Sequence, residues 1–182
     1  MAKLVLMRHA KSDRGDPEST DVDRPLNARG ARATRRMGDY LRKKGLVPDR
    51  ILCSTARRAR QTLAGLGAGL ADCPGAQLDE DLYLASPETL LQAIAEVGTS
   101  AETLLVIAHN PGIEELASFL VDRGVVDGAA RAAMERGFAT AALAVFELDQ
   151  SDFRDIRFGG VRLVDFVTPK MLAAVDAGGP VA

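Results

Sequence analysis

His9 and His109 are the only imidazoles in the 182-residue chain, and each closes a short apolar run. Leu4-Val5-Leu6-Met7 leads into Arg8-His9, and Leu104-Leu105-Val106-Ile107-Ala108 leads into His109-Asn110-Pro111. A third cluster, Ser54-Thr55-Ala56-Arg57-Arg58-Ala59-Arg60-Gln61-Thr62, follows the run Ile51-Leu52-Cys53. Imidazoles and guanidiniums that meet at helix N-termini favour a phosphate-sized dianion, because fixed donors, positive charge and the helix dipole all act in one direction. A neutral imidazole aimed at phosphorus attacks it directly while neighbouring donors hold the equatorial oxygens, and that chemistry requires no metal.

Bringing these residues together requires strands whose carboxyl ends share one edge. Uninterrupted runs of Val, Leu and Ile read as buried strands of a parallel sheet, and ligands bind at the carboxyl ends of such strands. The polar stretch 11–24 is too polar for a core element and reads as a functional loop. Asn27 caps a helix in which Ala33, Met37, Tyr40 and Leu41 recur at helical spacing, and Gly45 and Pro48 end it. After the strand 50–53, Ser54 or Thr55 is expected to cap a helix with the stripe Ala59, Leu63, Leu66 and Leu70. Cys73-Pro74-Gly75 breaks the chain, Gln77 to Leu84 reads as a further strand, and Ser86-Pro87-Glu88 opens a helix with Leu90, Leu91, Ile94 and Val97. The strand ending at His109 gives way to a helix with Ile113, Leu116, Ala117 and Leu120. Thr140 to Leu148 and Val161 to Thr168 read as two strands in a hairpin turned around 149–152. Alternating strands and helices predict a three-layer α/β/α, doubly wound and mostly parallel sheet, with one antiparallel pair near an edge.

Composition bounds the partners. The length suits one compact domain, 1–182, and a hydrophobic fraction of 47% is enough for a core. A formal net charge of −2 gives no general attraction to nucleic acid or to an anionic membrane, and neither is expected as a partner. With two cysteines and neither a signal-peptide pattern nor a long apolar span, the chain reads as a reduced, cytoplasmic protein.

Other phosphate chemistries fit the sequence less well. A cysteine phosphatase loop starting at Cys53 needs arginine at position 59, which is Ala59. No Gly-x-x-x-x-Gly-Lys-Ser/Thr string occurs. Cys53 and Cys73 make no zinc pattern, and the two histidines lack neighbouring carboxylate ligands, so neither metal nor cofactor is expected.

The three clusters together resemble the histidine phosphatase superfamily, which includes the phosphoglycerate mutases. Arg8-His9-Ala10 is similar to its Arg-His-Gly signature, Ser54-x-x-x-Arg58-Ala59-x-Gln61-Thr62 to its second motif, and His109 after an apolar strand to its third. The short length, Arg8-His9-Ala10-Lys11-Ser12, Arg24-Pro25-Leu26-Asn27-Ala28-Arg29-Gly30 and Thr168-Pro169-Lys170 look most like the small branch typified by SixA phosphohistidine phosphatase. The resemblance implies the phosphoglycerate mutase-like fold, His9 as the phosphorylated nucleophile, and Arg8, Arg58 and His109 as grips on the phosphoryl oxygens. The arginine immediately before Ala-x-Gln-Thr carries the family role, so it falls to Arg58 rather than Arg57. Larger members carry a glutamate as general acid. Here the corresponding region reads Asp79-Glu80-Asp81, where Asp81 best takes the place and Glu80 is its rival, though the flanking pattern departs from the mutases, and His109 is the third candidate to move that proton.

Lys11, Ser12 and Arg24 flank the polar loop beside His9 and are candidates for substrate selection, with surface ion pairing as the competing role for Lys11 and Arg24. The Arg32, Arg35, Arg36 and Arg42 face reads as solvated surface rather than as a docking patch for an acidic protein. Little inserted sequence is available to enclose the site, which favours a phosphohistidine on a protein over a small phosphorylated metabolite. A small-ester phosphatase and a slow phospholigand-binding regulatory module are the alternatives.

Overall fold

The computed structural model describes residues 1–13, 20–68, 70, 73, 75–99, 101–121, 128–149 and 152–176. Six strands are present: β1 (Ala2–Arg8), β2 (Arg50–Ser54), β3 (Ala76–Asp79), β4 (Thr103–Ala108), β5 (Leu143–Leu148) and β6 (Arg162–Val167). They form one sheet in the order β3-β2-β4-β1-β5-β6. The pairs β3-β2, β2-β4 and β4-β1 are parallel, whereas β1-β5 and β5-β6 are antiparallel.

Helices cover both faces: α1 (Ala28–Lys43), α2 (Arg57–Gly65), α3 (Pro87–Val97), α4 (Gly112–Leu120), α5 (Gly128–Glu135) and α6 (Pro169–Asp176). Side chains alternate across a strand, so Leu4 and Leu6 of β1 enter a core with Leu90, Ile94, Ile113 and Leu116, while Val5 and Met7 enter a second core with Met37, Leu41, Ala59 and Leu63. Strand β4 divides in the same way, with Leu104 and Val106 on one side and Leu105 and Ile107 on the other. Burial on both faces is why these runs carry no polar residue. The result is the expected three-layer α/β/α architecture.

Local signals set most boundaries. The Asn27 side chain accepts from the Gly30 amide at 2.9 Å, and the Ser86 hydroxyl accepts from the Thr89 amide at 3.2 Å with Pro87 in the first helical turn. A Cβ at Gly30 would overlap the Lys11 carbonyl oxygen, so glycine lets α1 press against the segment that follows His9.

Several elements differ from expectation. The strand expected over Gln77 to Leu84 stops at Asp79, because its carboxylate accepts from the Asp81 amide at 2.9 Å and turns the chain into a 3-10 helix at Glu80–Leu82. Neither Ser54 nor Thr55 caps α2. The N-cap is Ala56 with no side-chain bond, and the buried Ser54 hydroxyl faces the interior instead. Strands β5 and β6 pair as expected, but the connection contains a 3-10 helix at Phe153–Asp155 rather than a tight turn. Positions 150–151 of the expected hairpin turn, Pro74 of the expected break and 14–19 of the polar loop lie outside the described residues. Helices α5 and α6 were not expected; α6 starts at Thr168-Pro169, where the Thr168 hydroxyl accepts from the Met171 amide at 3.2 Å.

Replacing Gly30 by alanine is expected to lower stability by about 1–3 kcal/mol, since the obstacle is backbone that must move as a unit. Urea unfolding of Gly30→Ala beside wild type measures the loss.

Candidate active site

Strands β1 and β4 run parallel in a register that pairs Arg8 with Ala108. The next residue of each chain is therefore a histidine at the same carboxyl edge, and the rings of His9 and His109 lie 5.0 Å apart between centroids. On the other side of β4, β2 ends at Ser54, whose hydroxyl lies 2.8 Å from His109 Nε2. Helix α2 starts above that edge and brings in Arg58.

His9 is 8% exposed. Its Nδ1 lies 2.8 Å from the Ala10 carbonyl oxygen and its Nε2 lies 3.2 Å from Arg58 Nε. A guanidinium only donates, so Nε2 carries the lone pair and the proton sits on Nδ1, donated to Ala10. Burial lowers the pKa of His9 to about 4, opposed by the Ala10 hydrogen bond and helped by the charges of Arg58, Arg8 and Arg24. The ring is neutral at pH 7, with a nucleophilic Nε2.

His109, 1% exposed, is pushed down to about 3 by burial first and then by His9 and Arg58. The Tyr83 ring meets it edge-on at 5.3 Å. Three buried side-chain polar atoms lack a hydrogen-bond partner among the described residues: Arg8 Nε, His109 Nδ1 and Asn110 Oδ1. All three belong to the ends of β1 and β4. Buried polar atoms are seldom left unpaired without a functional reason. Arg8 Nη1 donates to the Phe138 carbonyl at 2.8 Å, which fixes the guanidinium at this edge.

Arg58 is 3% exposed and bonded through each of its three guanidinium nitrogens. Besides its bond to His9, Nη1 donates to the Asp21 carbonyl at 2.6 Å and Nη2 to Asp21 Oδ2 at 3.0 Å. The same carboxylate accepts from the Tyr83 hydroxyl at 2.6 Å and from Arg24 Nη1 at 2.8 Å. These bonds, Tyr83 first and then Arg24, hold Asp21 far below the usual carboxylate range. Thr62, one turn along α2 from Arg58, donates to the Arg58 carbonyl at 2.7 Å and accepts from the Ala10 amide at 2.9 Å.

The structure thus brings together Arg8, His9, Arg58 and His109. Arg24 and Ser12 stand at the margin, joined by an Arg24 Nη2 to Ser12 Oγ bond of 3.2 Å. Lys11 is exposed and lines a neighbouring groove with Arg29 and Arg136, whose lining includes neither imidazole. Asp81 and Glu80 are exposed on their 3-10 helix, with neither carboxylate bonded to a histidine or arginine of the site. Among the described residues the carboxylates beside these arginines are Asp21 at Arg58 and Glu114 near Arg8, and of the two Asp21 pairs with the guanidinium bonded to His9. Sequence reasoning missed it, along with Tyr83 and the Ser54 contact. The only signal was its place in the polar loop beside Arg24-Pro25. Among the described residues no group of three or more His, Cys, Asp or Glu side chains is placed to hold a metal, and no helix is long and apolar enough to cross a membrane.

The sequence model of the histidine phosphatase superfamily, branch 1, matches residues 4–83. An uncharacterized protein of Mycobacterium tuberculosis is 40% identical over 164 residues, covering 90% of this chain and all of the relative. A solved structure from Nakamurella multipartita, provisionally named phosphohistidine phosphatase SixA, superposes with a TM-score of 0.80 at 32% identity, covering 92% of this chain and 96% of the other. The chain belongs to the histidine phosphatase superfamily. A second protein so named, from Agrobacterium tumefaciens, gives a TM-score of 0.74 at 30% identity, covering 92% and 99% of the two chains. Membership supports phosphatase activity and the phosphoglycerate mutase-like fold. In this histidine phosphatase the matched segment carries Arg8, His9 and Arg58, and strand pairing adds His109 from outside it.

The two buried histidines also set an acid limit on stability. Both have folded-state values below the ordinary value of 6.5. The unfolded chain therefore binds protons that the folded chain refuses, and stability present above pH 6.5 is lost as pH falls through about 4 and then about 3. Urea unfolding followed from pH 7 to 4 is expected to show this decline, and His109→Gln is expected to flatten it.

Proposed function

We propose that the protein, acting as one domain over 1–182, is a metal-independent phosphatase that passes a phosphoryl group through His9 and dephosphorylates phosphohistidine on a protein. The observation that carries the phosphoryl-transfer reading is the His9 ring, neutral, with its Nε2 lone pair facing Arg58 Nε at 3.2 Å and the His109 ring 5.0 Å away. Nε2 attacks phosphorus; the N–P bond forms as the bond to the leaving group breaks. The proton on Nδ1 stays with the ring, and its bond to the Ala10 carbonyl stabilises the positive charge of the phosphorylated imidazole. Water then attacks phosphorus, the N–P bond breaks, inorganic phosphate leaves, and His9 returns to its neutral form. Arg8 Nε and His109 Nδ1, unpaired in the protein alone, are the donors offered to phosphoryl oxygens. Arg58 adds charge, and an incoming dianion competes with Asp21 for it.

Leaving-group chemistry favours phosphohistidine. Asp21 is ionised throughout the neutral range and is a poor proton donor, while the exposed Asp81 and Glu80 carboxylates bond to no histidine or arginine of the site among the described residues. An ester oxygen departs as a costly alkoxide without a proton. A phosphohistidine ring protonated at its other nitrogen departs as neutral imidazole, the N–P electron pair returning to the leaving nitrogen, and so needs no proton from the enzyme.

Brief incubation with a radiolabelled phosphodonor is expected to give an acid-labile, base-stable label on the protein that is absent from His9→Ala. Arg58→Ala is expected to lower kcat by roughly 10²–10³, the cost of losing one such donor elsewhere, read in a steady-state assay. Turnover of a phosphohistidine protein is expected to exceed that of a panel of sugar and glycerate phosphates; strong preference for one of those esters overturns the substrate assignment.

A further inference from the structure

Beside the candidate active site runs a groove of about 780 Å³ bounded by α1, the end of α5, the start of α6 and the segment after His9. Six cations line it: Lys11, Arg29, Arg32, Arg36, Arg136 and Lys170, and no described lining residue is acidic. Only Arg36 is paired, with Asp176 at 3.3 Å. Among the described residues the other five make no ion pair or side-chain hydrogen bond. In a chain of net charge −2 this concentration does not follow from composition. Like charges held together without counter-ions repel, and an anionic partner offsets that repulsion.

The groove adjoins the reaction centre. Lys11 is two residues beyond His9, and the lining residue Thr140 precedes Ala141, whose amide donates to the His9 carbonyl at 3.1 Å. Its far end lies well away. Arg29, Arg32 and Arg36 occupy one stripe of α1 at spacings i, i+3 and i+7, a rise of about 10 Å along the helix. A small phosphate ester held at His9 does not extend along two helical turns, so the anion that spans these cations is macromolecular. No Phe, Tyr or Trp lines the groove among the described residues, so it lacks the stacking platform that single-stranded nucleic acid uses.

We propose that this groove docks an acidic face of a protein, presenting that protein's phosphorylated side chain to His9. The proposal rests on the reading of the protein as a phosphoprotein phosphatase and adds to it where the partner is gripped and by what charge.

The test uses the triple variant Arg32→Glu/Arg136→Glu/Lys170→Glu, three exposed side chains outside the catalytic group, with the Gln triple as a second variant should the charge reversal fail to fold. Binding of a fluorescein-labelled Glu- and Asp-rich peptide to the full chain is followed by anisotropy as salt is raised, and para-nitrophenyl phosphate turnover reports the reaction centre. Wild type is expected to bind the peptide more weakly as salt rises. The triple variant is expected to lose at least about tenfold in affinity while its aryl phosphate kcat/KM stays within about twofold of wild type. Equal peptide binding by wild type and variant overturns the proposal. So does tighter binding by wild type of an RNA oligomer of the same length, or of a small bisphosphate, at these cations. A phosphohistidine protein assayed in parallel separates the two readings. If wild type binds the peptide as expected yet leaves phosphohistidine intact, the substrate assignment falls and the groove stands. If it hydrolyses phosphohistidine with the same KM in both forms, the groove falls and the substrate assignment stands.

Discussion

The pairing of β1 with β4 is the constraint from which the site follows. Both strands are apolar on both faces, so side-chain polarity alone does not penalise a slip of one residue, as it does when only one face is buried. Register is fixed instead at the strand ends. The Asp49 carboxylate receives the Glu102 and Thr103 amides where β4 begins, the Lys3 amide donates to the Glu102 carbonyl, and the His9 amide donates to Ala108. The Ala141 amide, shared between the Arg8 and His9 carbonyls, fastens the exit of β1 to the antiparallel half of the sheet. Shift that register by one position and His9 no longer stands beside His109.

Holding two imidazoles and two arginines in a mostly dehydrated edge is costly. The protein meets this in two ways. The imidazoles stay neutral, so no charge is buried on them. The guanidiniums are matched by carboxylates that reach in from the side: Asp21 to Arg58, and Glu114 near Arg8, where it also receives the Asn110 amide group at 2.5 Å and the Phe138 backbone amide at 3.1 Å. Asp21 is half-exposed and held by bonds from Arg58, Arg24 and Tyr83, so this counter-ion sits where solvent can take it over. The structure keeps its fixed charges deep and its exchangeable one at the rim.

Much of this was legible in the sequence. Leu4 to Met7 and Leu104 to Ala108 announce buried parallel strands because no polar residue interrupts them, and strand ends in such sheets are where chemistry collects. Asn27 and Ser86 read correctly as caps because capping is a matter of three consecutive residues. Ser54 misread for the opposite reason: a serine before a helix looks the same whether it caps that helix or turns to a histidine on the neighbouring strand. Asp21 was invisible because its meaning depends on Arg58 and Tyr83, 37 and 62 residues away. Asp81 is singled out as general acid by its position in the sequence, and the Asp79 turn places it on an exposed 3-10 helix with its carboxylate bonded to no site residue among those described. The cations of α1 read as a solvated face in the sequence, and Arg136 just after α5 and Lys170 of α6 join three of them along one groove, although neither helix is signalled by a strong period.

The Thr62 hydroxyl has a mechanical consequence. It joins the first turn of α2 to the backbone after His9, taking a hydrogen from the Ala10 amide and giving one to the Arg58 carbonyl. One hydroxyl thus ties the backbone that carries Arg58 to the backbone that follows His9, so the spacing of guanidinium and imidazole is referred to a residue that bonds to neither group.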